Sequence, residues 1–265
     1  MEYKGNLSKM DAWLENPVRY TLTIGEHEID MNELLGHKLS FRFDGQINCV
    51  ICGKRTKTSF AQGFCYFCFQ NAPQADESVV NPQLSKAEFG IARDLDWAVE
   101  NDLIDHFVYL AVSKEVKVGV TRDHQIPIRW IDQGASYVIR LARTPNRHIA
   151  GIIEVFLKDY YTDKTSWKEM LQNQVNENID LLSEKEKALA LLPAELQQYA
   201  CENNEIVHIN YPVLEYPQNV ISQNFDKDKI IGGKLTGIKG QYLIFDAQRA
   251  VNIRRHNGYF VIVER

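Results

Sequence analysis

Four cysteines in two pairs, Cys49-x2-Cys52 and Cys65-x2-Cys68, separated by twelve residues, restrict what this chain can fold into more than any other stretch. Two thiolates spaced by two residues fit one side of a tetrahedral metal, so two such pairs complete a four-sulfur shell. Gly53 directly follows the first pair, where a knuckle needs a residue that tolerates positive φ. The surroundings lack the βαβ pattern of a redox dithiol. Four sulfurs leave no open coordination position, so the expected ion is a structural Zn2+. Lys54, Arg55 and Lys57 on the loop could meet nucleic acid, while Phe64, Tyr66, Phe67 and Phe69 are expected to form the small module's core. Five cysteines, four of them in these two pairs, fit a reducing compartment better than a disulfide framework.

A cytoplasmic protein with no membrane partner is therefore expected. No apolar run approaches the roughly 18 residues of a membrane span, and MEYKGNLSKMDAW lacks the basic-then-apolar order of a signal peptide. The net charge is −5, but it is unevenly spread. Residues 49–70 carry three basic and no acidic side chains, 107–151 seven basic against three acidic, and 229–265 seven against two. Residues 71–106 carry eight acidic against two basic. Local basic surface attracts phosphate backbones, so DNA or RNA is compatible with the acidic total.

The densest chemistry lies between Phe107 and Glu154. FVYLAV and VKVGVT, separated by Ser113, Lys114 and Glu115, read as a hairpin. A short helix from Ile126 breaks at Gly134, and Tyr137 to Ala142 returns to strand. From Arg147, the residues Ile149, Ile152, Ile153, Phe156, Leu157 and Tyr160 recur at helical spacing, with Glu154 at the border of the apolar stripe. Arg147, Gly151 and Glu154 share a neighbouring face, where the glycine allows another backbone or a ligand to approach closely.

Val108-Tyr109-Leu110, then Lys117-Val118-Gly119, then Arg129, then Glu154 on a helix resembles the ordered signature of the GIY-YIG nuclease superfamily. That resemblance implies a three-stranded sheet flanked by helices, Tyr109 as the motif tyrosine, Gly119 as the motif glycine, Arg129 as the phosphate-contacting arginine and Glu154 as the ligand of Mg2+ or Mn2+. Lys117 occupies the second tyrosine position, where it could act as a point charge for phosphate or, if buried, as a base. The chain as a whole also resembles an uncharacterised bacterial family that joins a four-cysteine module to such a core and carries phrases such as RWIDQGA and GIKGQYLIF.

The rest organises around this core. Residues 1–48 form a β segment (Tyr20–Ile24 and Lys38–Phe43) expected to join a C-terminal β module. Residues 49–70 are the zinc module, and 71–106 a linker followed by a helix starting at Ser85 with a solvated acidic face of Asp94, Asp96, Glu100 and Asp102. Residues 107–204 are the GIY-YIG-like core with a polar helical extension from Thr162, and 205–265 a β-barrel-like module whose glycines, Gly232, Gly233, Gly237 and Gly240, are turn residues. The fold class is α+β in several parts. Arg122, Arg147, Lys54, Arg55, Arg254 and Arg255 are candidate nucleic-acid contacts, with Lys239 and Arg249 beside the last pair. His124 and His148 flank the core and read more readily as surface histidines than as bases. The leading function is metal-dependent cleavage of the phosphodiester backbone. A noncatalytic zinc-containing nucleic-acid binder and a zinc-stabilised interaction scaffold are the alternatives, and association of the chain with itself stays open.

Overall fold

In the computed structural model, which describes residues 2–161 and 166–265, the chain divides into two units. One runs to Gln70 and includes Ile131–Gly134 and Ile209–Arg265; the other comprises Asn71–Trp130 and Ala135–His208. The start of the polar helical extension, residues 162–165, lies outside the described residues.

In the first unit, strands from both ends of the chain share one eight-stranded sheet. Its order is Glu2–Asn6, Tyr259–Glu264, Lys38–Asn48, Ile230–Lys239, Tyr242–Phe245, Arg249–Asn252 and Ile221–Gln223, with Arg55–Thr56 pairing to the end of Lys38–Asn48. Inward positions at period two, among them Phe41, Ile231, Leu243, Phe245 and Val261, are fully buried. The expected barrel does not form. Closure needs hydrogen bonds on both sides of every strand at a constant stagger. Here Glu2–Asn6 and the three-residue, parallel-paired Ile221–Gln223 remain the two edges of an open sheet. Asp11–Trp13, Arg19–Ile24 and His27–Asp30 make a separate three-stranded sheet. Of the four glycines expected in turns only Gly240, at φ 61°, is in one, between Ile230–Lys239 and Tyr242–Phe245; Gly232, Gly233 and Gly237 lie inside the strand Ile230–Lys239.

Lys239 is fully buried, and its ammonium lies 5.2 Å from the Tyr211 ring centroid and 5.6 Å from that of Tyr216. Burial pushes its pKa down to about 7.

The second unit is built on a four-stranded antiparallel sheet in the order Ile206–His208, Tyr137–Thr144, His106–Val112, Val116–Arg122. The resemblance implied three strands. The fourth is the three-residue Ile206–His208, which pairs with Tyr137–Ile139 although its sequence runs on into the C-terminal β-rich stretch. Val108, Leu110, Val112, Val118, Ile139 and Leu141 make one apolar face, covered by Ala150, Ile153 and Leu157 of the helix Arg147–Leu157 and by Leu181 and Ala188 of the helix Leu181–Leu191. The helix expected from Ser85 is a single 3-10 turn, Ala87–Phe89, ended by Gly90 at φ 71°. The α-helix begins only at Leu95, where Asp94 Oδ1 accepts from the Trp97 amide at 2.9 Å.

At Gly151 an added Cβ would lie 2.1 Å from the Gln83 amide nitrogen, so the helix Arg147–Leu157 and the 3-10 turn Pro82–Leu84 meet backbone to backbone. An exposed helix glycine normally gains up to ~1 kcal/mol on becoming alanine. Here Gly151→Ala should instead lower unfolding stability by ~1–3 kcal/mol, read from denaturant midpoints, because the overlap is with backbone.

For Lys239 the sign follows from its depressed folded pKa. The unfolded chain binds the extra proton at neutral and mildly alkaline pH, so stability rises with pH above about 7. Lys239→Met should raise the thermal midpoint at pH 7 and flatten its rise towards pH 9; an unchanged pH slope would remove Lys239 from the account.

Candidate functional site

In the second unit, the hairpin register sets Tyr109 opposite Gly119, Ala111 opposite Lys117 and Phe107 opposite Thr121. Strand alternation therefore puts Tyr109, Lys117 and Gly119 on the sheet face opposite the Val108–Leu110 core. Gly119 is required there sterically, since a Cβ would come within 2.7 Å of the Tyr109 hydroxyl and ring. The buried Tyr109 ring meets Trp130 edge-on at 6.0 Å, and the Arg140 guanidinium lies over Trp130 and Phe107.

Val116–Arg122 is the edge strand, and charged groups gather beside it. Lys117 is only 5% exposed. Burial, with the repelling charge of Arg129, lowers its pKa to about 8. Arg129, on the short helix Ile128–Asp132, also acts on the charges of Arg122, Arg147 and Glu154. The Glu154 helix packs against the same two strands on their other face, over Val108, Leu110 and Val118. Arg129 is thus the charge that Lys117, Arg122, Arg147 and Glu154 have in common. Among the described residues, neither Lys117 nor Arg129 has a hydrogen bond or an ion pair.

Arg122 and Arg147 are differently placed. Arg122 Nε donates to the Asn101 carbonyl at 2.7 Å, and its guanidinium lies 5.2 Å over Trp97. Arg147 Nε donates to the Ser78 carbonyl at 2.8 Å and Nη2 to the Val79 carbonyl at 2.7 Å. Asp102 lies between the two: its Oδ1 is 3.9 Å from Arg122 Nη2 and 3.8 Å from Arg147 Nε, and its Oδ2 accepts from Ser85 Oγ at 3.1 Å. Burial and the charge of Arg122 still bring Arg147 down to about 10.

Asp102 is the residue that the sequence reading misplaced. It belongs not to a solvated helix face but to the interior, 4% exposed. The legible signal was the need of Arg122 and Arg147 for a counter-charge within a unit whose nearest acidic run is 94–105. His106, fully buried, donates from Nδ1 to the Ile104 carbonyl at 2.8 Å; burial and the charges of Arg147 and Arg122 push its pKa down to about 4, so it is neutral. His148 faces Glu88 at 3.9 Å, and His124 is exposed in the turn Asp123–Gln125.

Glu154 is 9% exposed and its Oε2 lies 3.4 Å from Lys158 Nζ, one helical turn on. Burial raises its pKa, against the pull of Lys158, Arg147 and Arg129. It is the carboxylate available to a divalent ion in this cluster, and such an ion would take most of its shell from water and phosphate oxygens.

The four-cysteine group lies in the first unit. All four Sγ atoms lie within 4.8 Å of one another, with Cys52 and Cys65 sulfurs 3.9 Å apart. Zn–S bonds of about 2.3 Å in a tetrahedron place sulfurs just under 4 Å apart, so the four fit one zinc. Gly53, at φ 70°, donates its amide to the Cys49 carbonyl at 2.9 Å and forms the knuckle. Burial raises the Cys49 thiol pKa, but the amides of Cys52, Cys65 and Ile51 more than offset this, to about 6; burial and the neighbouring sulfurs hold Cys68 up. Four thiolates crowd one another unless a cation sits among them. The aromatic side chains do not form a closed core. Phe60 stacks on Phe69 and meets Tyr66 edge-on, but Tyr66 and Phe67 are 63% and 72% exposed. Lys54 and Arg55 are exposed on this loop. In the same unit Arg255 is exposed, and Arg254 and Lys9 both reach Asp132 Oδ2, at 3.6 and 3.2 Å.

Among the described residues, no helix is long and apolar enough to cross a membrane. No curated protein and no solved structure matches the chain. A family model described as "Protein of unknown function (DUF2797)" matches residues 36–261, which takes in both the cysteine cluster and the charged cluster, and the chain belongs to that family.

Proposed function

We propose that this protein acts on the phosphodiester backbone of nucleic acid, as a metal-dependent endonuclease of GIY-YIG type centred on Arg129 and Glu154. The observation that supports the reading is that Lys117, Arg122, Arg147 and Glu154 each feel the charge of Arg129, on the unit whose edge strand carries Lys117. Arg129 binds a phosphate oxygen and stabilises the charge that develops on it. Glu154 holds Mg2+ or Mn2+, which polarises the phosphoryl group when bound. Tyr109, whose ring is fixed between Gly119 and Trp130, orients the attacking water with Lys117. The Cys49, Cys52, Cys65 and Cys68 cluster holds a structural Zn2+, and Lys54, Arg55, Arg254 and Arg255 add basic contacts on the first unit.

A specific observation favours a second reading, a nucleic-acid binder without hydrolysis. Glu154 is already ion-paired with Lys158, which a metal must displace, and Lys117 stands where the motif has tyrosine.

With Mg2+ or Mn2+, the protein should cut one or more of branched, single-stranded and duplex DNA or RNA. Glu154→Ala and Arg129→Ala should each lower the rate by about a hundredfold or more. Cleavage that survives both substitutions removes the proposed centre, and tight, salt-dependent binding with no cleavage selects the second reading.

Freshly purified, reduced protein should carry about one zinc per chain, released when the thiols are blocked, and chelation should lower the thermal midpoint. Substoichiometric metal under those conditions would count against the zinc assignment.

A further inference from the structure

We infer that the rim of the four-cysteine site is a base-stacking platform, on which Tyr66 and Phe67 take up unpaired bases of single-stranded nucleic acid. This deepens the nucleic-acid reading above and rests on it, adding a preference for unpaired strands.

Each cysteine pair encloses two apolar residues, Val50 and Ile51 in the first and Tyr66 and Phe67 in the second. Their exposures are 45%, 46%, 63% and 72%. Each is the chain neighbour of a cysteine whose sulfur lies within 4.8 Å of the other three, so all four share the rim of one metal site. Single exposed apolar side chains are ordinary on a protein surface, whereas two pairs around one site make a patch, and such a patch marks a binding surface.

The inward places of the module are already filled. Cys49 and Cys68 are buried, the half-buried rings of Phe60 and Phe69 stack on each other at 5.7 Å, and the Val50 amide donates to the Gly63 carbonyl at 2.9 Å. Tyr66 meets Phe60 edge-on at 5.6 Å, which steadies its ring while leaving most of it in solvent. A four-sulfur metal site supplies folding energy that a short module otherwise draws from its aromatic side chains, so these can stay outside.

The charge around the rim names the partner. Residues 49–70 carry Lys54, Arg55 and Lys57 and no acidic side chain, although the whole chain holds 35. All three cations are exposed, and none has a side-chain hydrogen bond or ion pair among the described residues. Aromatic faces beside cations, with no carboxylate between them, match a polymer that carries planar rings on a phosphate backbone. In a duplex the bases stack on one another and present only their edges to the grooves, so the two rings have faces to meet only in an unpaired strand. Stacking needs no particular base, and the platform is therefore tolerant of sequence.

The test uses the full chain with zinc retained and no added divalent ion, so that strands stay intact. The probes are oligo-dT, oligo-U, a duplex of the same length, and a strand of abasic spacers with the same number of phosphates. Tyr66→Ala and Phe67→Ala should each weaken binding of the two single strands by about tenfold, and leave duplex binding, spacer-strand binding and zinc content unchanged. Tyr66→Phe and Phe67→Tyr should retain full binding, because a ring remains. Replacing Lys54 and Arg55 by alanine should instead flatten the salt dependence. Iodouracil placed in oligo-dT should photo-crosslink the wild-type chain at Tyr66 or Phe67, which keeps the test decisive if an alanine variant fails to fold. Single-strand binding that neither alanine variant weakens, equal weakening on the duplex, or a crosslink mapped elsewhere overturns the platform and leaves the phosphodiester reading standing. Ring-dependent capture by phosphatidylserine vesicles without ring-dependent binding of the oligonucleotides overturns it too, and makes the rim a lipid surface. Absence of binding to every nucleic acid overturns both readings together.

Discussion

The second unit depends on one carboxylate held between two buried guanidiniums. Arg122 and Arg147 are 9% and 7% exposed and cannot shed their charge, so their burial requires acceptors. Asp102 supplies the counter-charge at 3.8–3.9 Å, and the carbonyls of Ser78, Val79 and Asn101 accept hydrogen bonds from Arg147 and from Arg122 Nε, while Arg122 Nη2 has no acceptor among the described residues. Breaking such an arrangement from one side leaves an uncompensated buried charge, which typically costs about 3–5 kcal/mol. The consequence is structural before it is functional. The stretch 73–89 carries four 3-10 turns and no strand, and the guanidinium of Arg147 ties its Ser78–Val79 backbone to the Glu154 helix.

The same helix shows how packing and electrostatics share a surface. Ala150, Ile153 and Leu157 cover the sheet. Gly151 admits the backbone of Pro82 and Gln83. Arg147 and Glu154 are therefore drawn below the solvent boundary along with the apolar residues, although each is charged. Burial raises Glu154 and lowers Arg147, and each opposes the shift of the other. Proximity to an opposite charge limits the shifts without abolishing them.

How much of this the sequence disclosed depends on the range of the interaction involved. Local patterns were legible: the Ser113–Glu115 hairpin turn, the helix opening at Arg147, the Gly134 break and the Cys49–Cys68 knuckles all follow from spacing of a few residues. The close approach at Gly151 was also readable, though not that its partner is the 82–83 backbone. Pairings across long separations were not. Nothing near Ile206 reveals that it pairs with Ile139, or that Glu2–Asn6 joins Phe260–Glu264 at the edge of an open sheet. Asp102 was misread for a related reason. On its own helix it continues an acidic face, and only the two arginines, 20 and 45 residues further along the chain, make it an interior residue. Ser85 likewise has a capping-box sequence, yet its hydroxyl is spent on Asp102.

The remaining imbalance gives the cluster its chemical character. Asp102 answers Arg122 and Arg147, and Lys158 answers Glu154, through contacts already made inside the unit. Lys117 and Arg129 are left without such contacts among the described residues, and they repel each other. A protein whose total charge is −5 has acidic side chains to spare, so leaving two cations uncompensated is a local arrangement and not a shortage of carboxylates. Such a pair destabilises the fold slightly, and an anion beside it would relieve the repulsion. The two cations differ in how they can answer that repulsion: a guanidinium keeps its charge in a protein, whereas burial and the charge of Arg129 both disfavour the charged form of Lys117.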